Sequence, residues 1–276
     1  MGRSITSLVV TVMSANPAAP VSQSSAIRIA ISDGYLRYHD SQAATLTGLN
    51  IEVPAGAWTC ILGRSGCGKS SLLRYLANLL HDKVDWSGEL TTEPHCDLQH
   101  HIAYMAQQDL LMPWLSVLDN VMLSTKLSRA PRSTAIRDSQ LAQARELLHQ
   151  VGLADKADYL PQQLSGGMRQ RVALARTLMQ DKPVVLMDEP FSALDAVSRY
   201  RLQNLAFELL QAKTVVLITH DPQEAIRLAS RLYIMQGRPA SAESLLLPLS
   251  QVPRAIDAEC AGLQQTIMTR LALDYE

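Results

Sequence analysis

Three short stretches carry residue types able to handle a polyphosphate. Gly63-Arg64-Ser65-Gly66-Cys67-Gly68-Lys69-Ser70 fits the spacing G-x-x-x-x-G-K-[ST]. Glycines there let the backbone turn where side-chained residues cannot and approach anionic oxygens closely. Lys69 supplies a compact charge for β- and γ-phosphates, and the Ser70 hydroxyl is a Mg²⁺ ligand. Asp188-Glu189 follows the apolar run Val184 to Met187. Carboxylates at the C-terminal end of a buried strand lie where α/β sheets place ligands. The first suits Mg²⁺; the second, turned the other way, suits orienting and deprotonating water. Thr219-His220-Asp221 ends the next strand in the same manner. Alone, His220 reads as a structural histidine; beside a phosphate loop it reads as a group reaching the γ-phosphate.

These residues need elements to position them. Ala57 to Leu62 reads as a buried strand entering the phosphate loop, and Leu72, Leu73, Leu76, Leu79 and Leu80 form a helical stripe leaving it. Further strands are expected from Ala26, over Leu46 to Val53, Trp86 to Thr91, His101 to Ala106, Pro183 to Met187, Thr214 to Thr219 and Arg231 to Met235. Helices are expected after Ser116, over Ser133 to Val151, after Ser165, and over Ser198 to Leu210 and Pro222 to Ala229. Alternating strands and helices imply right-handed crossovers and a parallel sheet, with a helical insert near 110–165. Residues 1–25 read as a disordered leader, with Met13 as a second possible start. Their apolar core is too short for a signal peptide. Residues 238–276 read as a tail, helical over Pro253 to Leu273.

With 276 residues, 47% of them hydrophobic and 18% charged, the chain can bury a large core, and its net charge of −1 gives no reason to expect nucleic acid as a partner. Cys60, Cys67, Cys96 and Cys260 lack CxxC spacing and read as reduced thiols of a cytosolic protein. His95, Cys96, His100 and His101 lack a recognised ligand spacing and read as a solvated loop rather than a zinc site. No apolar run approaches the ~20 residues that span a bilayer.

Leu164-Ser165-Gly166-Gly167-Met168-Arg169-Gln170-Arg171 places a serine and two glycines at a helix N-terminus, a second anion site roughly a hundred residues from the first. Taken in order with Gly63 to Ser70, Gln107, Val184 to Glu189, Ala193-Leu194-Asp195 and His220, it resembles the ATPase subunit of an ABC transporter over about residues 27–236. The resemblance implies a phosphate-loop NTPase core with a mainly parallel sheet, an antiparallel β subdomain and a helical subdomain bearing the signature motif. The ATPase domain would run over 26–237. It also implies a head-to-tail homodimer with two MgATP between subunits. Each ATP would touch the loop from Gly63 to Ser71 of one chain and Ser165, Gly166 and Gly167 of the other. Tyr38, with Tyr35 nearby, falls where the family stacks an aromatic ring on adenine; the other reading is a core tyrosine. Gln107 would sense Mg²⁺ and the attacking water, beside Ser70 and Asp188 as metal ligands. Glu189 and His220 would act in hydrolysis, and Asp195 would stand at the dimer junction.

Leu110-Leu111-Met112-Pro113-Trp114 and the segment Val117 to Val121 are similar to the nitrate/sulfonate/taurine importer group, which includes ATPases for pyrimidine precursors of thiamine. The resemblance implies integral-membrane permease subunits, a periplasmic solute-binding protein met indirectly, and a peripheral place on the cytoplasmic face of the inner membrane. Trp114 reads equally as part of the groove for a permease helix or as core. A small-molecule kinase would share the phosphate loop without the signature stretch. An exporter ATPase or a soluble ABC ATPase remains the rival reading.

Overall fold

Parallel pairing organises the chain. The computed structural model describes residues 26–127 and 133–274; the expected leader lies outside them. In chain order the regular elements are β1 (Arg28–Tyr38), β2 (Leu46–Val53), β3 (Trp58–Gly63), α1 (Lys69–Leu76), β4 (Val84–Glu93), β5 (Ile102–Met105), α2 (Val117–Val121), α3 (Leu123–Leu127) and α4 (Thr134–Gln150). There follow α5 (Gly166–Leu178), β6 (Val184–Asp188), α6 (Ala196–Leu209), β7 (Thr214–Ile218), α7 (Pro222–Leu228), β8 (Arg231–Gly237), β9 (Ala240–Leu245) and α8 (Ala258–Leu273). Among the described residues the strands form one nine-stranded sheet, ordered β4-β1-β2-β9-β8-β3-β7-β6-β5. Its centre, from β8 to β5, is parallel, whereas β1 pairs antiparallel with both β2 and β4.

Every residue of β3, β6 and β7 is buried, as expected of strands covered on both faces. Side chains alternate between the faces. Cys60, Leu62, Val185 and Met187 enter a core shared with α6, α7 and α8, while Ile61, Val184 and Leu186 enter one shared with α1, β1 and β2. A third cluster, from Leu111 through Val117, Val121, Leu147, Leu148 and Leu164, lies among the helices between β5 and β6. It extends beyond residue 165 through Val172 and Ala175 of α5, whose Ala173 and Leu174 belong to the first core. Helix α5 is thus built into both bodies.

Several ends differ from the sequence reading. Helix α1 stops at Leu76 rather than near Leu80, because Asn78 takes φ +56 and turns the chain out of the helix. Helix α6 begins at Ala196, not Ser198, because the Asp195 carboxylate accepts the N–H groups of Val197 and Ser198. The tail contributes β9, antiparallel to β8 after a turn at Gly237 with φ +90, and α8 starts only after Asp257 caps the Cys260 N–H.

Leu148 is buried at the centre of the helical cluster. Leu148→Ala is expected to destabilise the chain by about 2–5 kcal/mol, read as a lower denaturation midpoint.

Candidate nucleotide site

The loop at residues 63–70 joins a fully buried strand to α1, and its shape depends on missing side chains. A Cβ on Gly63 would lie 2.6 Å from the Met235 carbonyl oxygen, and Gly68, with φ +105, would press one against Leu46 and Thr45 at 2.8 Å. Lys69 is buried and its Nζ donates to the carbonyls of Gly63 and Arg64, each at 2.8 Å. Cys67 is buried in the same loop; burial pushes its thiol pKa up, opposed by Lys69, so it remains a thiol. Ser65 and Gly66 form the exposed tip.

Strand β6 delivers the carboxylates. Ser70 Oγ donates to Asp188 Oδ1 at 2.9 Å, and the Tyr104 hydroxyl donates to Oδ2 at 3.3 Å. Burial, then the neighbouring Asp188 charge, raises the Tyr104 pKa and keeps this donor protonated. The paired hard oxygens of Ser70 and Asp188 suit Mg²⁺, which characteristically takes one or two carboxylates plus substrate phosphates. Among the described residues no three His, Cys, Asp or Glu side chains gather into a protein-only metal cage.

Glu189 has φ +48, uncommon for a side-chained residue, and its N–H donates to the Ile218 carbonyl at 3.0 Å. That turn sends its carboxylate away from Asp188. Its Oε2 accepts from Gln107 Nε2 at 3.2 Å and lies 3.0 Å from His220 Nδ1. Three segments distant in sequence therefore converge on one carboxylate. The Glu189 side chain is 15% exposed and that of His220 57%, so the cluster opens to solvent on the histidine side.

Ser165, Gly166 and Gly167 open α5, where Ser165 Oγ accepts the Met168 N–H at 3.3 Å. Gly167 packs so closely on Leu194 that a Cβ would come within 2.9 Å of it. Tyr38 packs against the β1–α1 core and its hydroxyl donates to Ser71 at 2.9 Å. Asp195 caps α6. Trp114, 73% exposed, is not a core residue.

Other contacts had no individual signal in the sequence. Gln170 Nε2 donates to the Pro190 carbonyl at 2.8 Å, joining α5 to the turn that carries Glu189. Arg169 pairs with Asp109 at 2.9 Å, and Arg176 donates to the carbonyls of Asp109 and Leu110. These ties hold the segment after Gln107 against α5; the seven-residue spacing of the two arginines, which places them on one helix face, is the only hint. Arg199 binds the Phe191 and Leu194 carbonyls and pairs with Asp221, beside His220.

A phosphate loop, a strand-end aspartate and a bracketed glutamate on a parallel sheet define a nucleotide-hydrolysing protein of the phosphate-loop class. Residues 46–192 match the family model described as ABC transporter. The chain is 42% identical over 229 residues to an uncharacterised ABC transporter ATP-binding protein of Haemophilus influenzae, covering 81% of this chain and 90% of the relative. It is also 42% identical over 231 residues to the aliphatic sulfonates import ATP-binding protein SsuB 1 of Mesorhizobium japonicum, covering 82% of each. Among solved structures it resembles the dimeric post-hydrolysis state of the ATP-binding cassette MJ0796 bound to ADP and Pi. That likeness has TM-score 0.66 and 29% identity, over 79% of this chain and 99% of that one. The chain belongs to the ABC transporter family as an ATP-binding, ATP-hydrolysing subunit.

Gly68→Ala forces a side chain into the wall formed by Thr45 and Leu46. Overpacking of about 1–3 kcal/mol, felt by the loop, should weaken MgATP binding by about tenfold in calorimetric titration.

Proposed function

We propose that the chain is the ATPase of an ABC importer, two copies closing around two MgATP to drive a separate membrane permease for a small anionic or heterocyclic solute of the sulfonate, nitrate, taurine or pyrimidine-precursor type. The observation that carries the catalytic reading is the Glu189 carboxylate held between Gln107 and His220, one residue from Asp188 and its Ser70 partner. The importer reading draws support from the names of the Mesorhizobium relative and of a second aliphatic sulfonates import ATP-binding protein, from Xanthomonas axonopodis, 39% identical over 234 residues.

In this reading Lys69 exchanges its bonds to the Gly63 and Arg64 carbonyls for β- and γ-phosphate oxygens. Ser70 and Asp188 hold Mg²⁺, with Gln107 alongside; when bound, the ion neutralises charge on the phosphate oxygens. Glu189 takes the proton of the attacking water, while Gln107 and His220 orient its carboxylate, His220 also reaching the γ-phosphate. Tyr38 faces the adenine. Ser165, Gly166 and Gly167 of a second copy present their helix N-terminus to the γ-phosphate. The dimeric state of the MJ0796 cassette favours that arrangement. Asp195 lies at the junction.

Among the described residues no helix is long and apolar enough to cross a membrane. We assign the membrane path to partner subunits on the names of the import ATP-binding relatives. Exposed Trp114, with Pro113 and Met112, offers them a docking surface beside the segment tied to α5. The cassette would then sit on the cytoplasmic face of the inner membrane, meeting a periplasmic solute-binding protein only through the permease. Co-purification with a permease tests the transport part.

Glu189→Gln should bind MgATP normally in calorimetry while phosphate release falls by about 10²–10⁴-fold; near-normal turnover would remove Glu189 from the role of base. Lys69→Ala should fail earlier, its MgATP affinity falling by about tenfold or more.

A further inference from the structure

Helix α8 reaches the phosphate loop from its outer side. The helix is fastened to the main core by Cys260 and Ile267. Its last turn is tied to the β8–β9 hairpin, where Gln236 Nε2 donates to the Arg270 carbonyl at 2.9 Å and Arg270 pairs with Glu243 at 2.8 Å. Beyond that turn Asp274 joins two structures. Its Oδ1 accepts the Gly237 N–H at 2.7 Å, and its other side meets Arg64, the second residue of the phosphate loop. Arg64 Nη1 donates to the Asp274 carbonyl at 2.8 Å, and Nε lies 3.2 Å from Oδ2. The two side chains are only 9% and 10% exposed, so this ion pair is far less screened than the surface pairs elsewhere on the chain.

We infer that Asp274 is a positioning residue for nucleotide binding, holding the first turn of the phosphate loop, through Arg64, in the shape that receives the triphosphate. The inference rests on reading this loop as the ATP site. The inner side of the turn is held by Lys69, which binds the carbonyls of Gly63 and Arg64. Once Lys69 turns to phosphate, those carbonyls lose that tether and the outer grip on Arg64 remains. A loop held in its binding shape has less conformational freedom to lose when ligand arrives. The effect therefore falls on affinity rather than on hydrolysis, because Asp274 makes none of the contacts to Glu189. Charge alone argues the reverse: a carboxylate near the phosphates repels them, and deleting it would tighten binding. The two accounts predict opposite signs.

The test compares the full chain with Asp274→Asn, Arg64→Gln and the double variant, reading MgATP affinity by calorimetry, KM and kcat by phosphate release, and melting temperature. Asparagine keeps an acceptor for the Gly237 N–H and removes the ion pair. Asp274→Asn should raise Kd and KM about three- to tenfold with a much smaller change in kcat, and the double variant should bind no more weakly than the weaker single variant. Three results would each overturn the inference: a lowered melting temperature with Kd unchanged, which marks a structural pin; tighter MgATP binding, which marks a charge effect; or additive losses in the double variant. If the unmodified chain itself bound no MgATP, the reading of the loop as the ATP site would fail, and that result is distinct from the other three.

Discussion

The site depends on the parallel register of three central strands. Ile61 of β3 and Asp188 of β6 both lie opposite Ile218 of β7. That alignment brings the entry to the phosphate loop, the Asp188-Glu189 pair and the Thr219-His220 pair to one edge of the sheet. Backbone hydrogen bonds enforce it at the edge itself, where Glu189 N–H bonds the Ile218 carbonyl and Thr219 N–H bonds that of Ile61. A slip of one residue would reverse which face each strand-end side chain meets, and Glu189 could no longer lie between Gln107 and His220. Alternating burial in two separate cores makes such a slip costly, since it would exchange the partners of Leu186, Met187, Cys60 and Ile61.

Helix α5 carries the second constraint. It contributes residues to the central core and to the helical cluster, so the two bodies share one rod. Gln170 ties that rod to the turn after Glu189, while Arg169 and Arg176 tie it to the segment after Gln107. The N-terminus of the same rod bears Ser165 and the signature glycines. A displacement of residues 107–110 therefore has a physical route, through the charge-assisted hydrogen bonds of Arg169 and Arg176 and the amide bond of Gln170, to both the turn that carries Glu189 and the N-terminus of α5. In the importer reading, this route lets a permease sense and promote nucleotide closure.

Much of the central sheet was legible because its strands are short, wholly apolar and bounded by turn residues, as in Val184 to Met187. The helix starts at Ser116, Ser133 and Ser165 were legible because a capping side chain is a local signal. What escaped was long-range or a matter of single dihedral angles. Asn78 ends α1 by adopting a left-handed conformation inside an apolar stripe that continues to Leu80. The ion pairs of Asp109 with Arg169 and of Arg64 with Asp274 span 60 and 210 residues and leave no periodic trace. Strand β9 has one buried residue and half of its side chains are polar, so alternation did not mark it. Trp114 illustrates the limit most simply: a tryptophan in an apolar stretch reads equally as core or contact surface, and only the packing around it decides.

In the importer reading one chain holds two halves of a nucleotide site, and only a second copy completes them. Sedimentation of the full-length Glu189→Gln variant with and without saturating MgATP tests it most directly, because blocked hydrolysis lets the closed state accumulate. The account predicts a nucleotide-dependent shift from monomer to dimer with one MgATP retained per chain. A variant that retained MgATP and yet sedimented as a monomer, alone and in the presence of its permease, would contradict it.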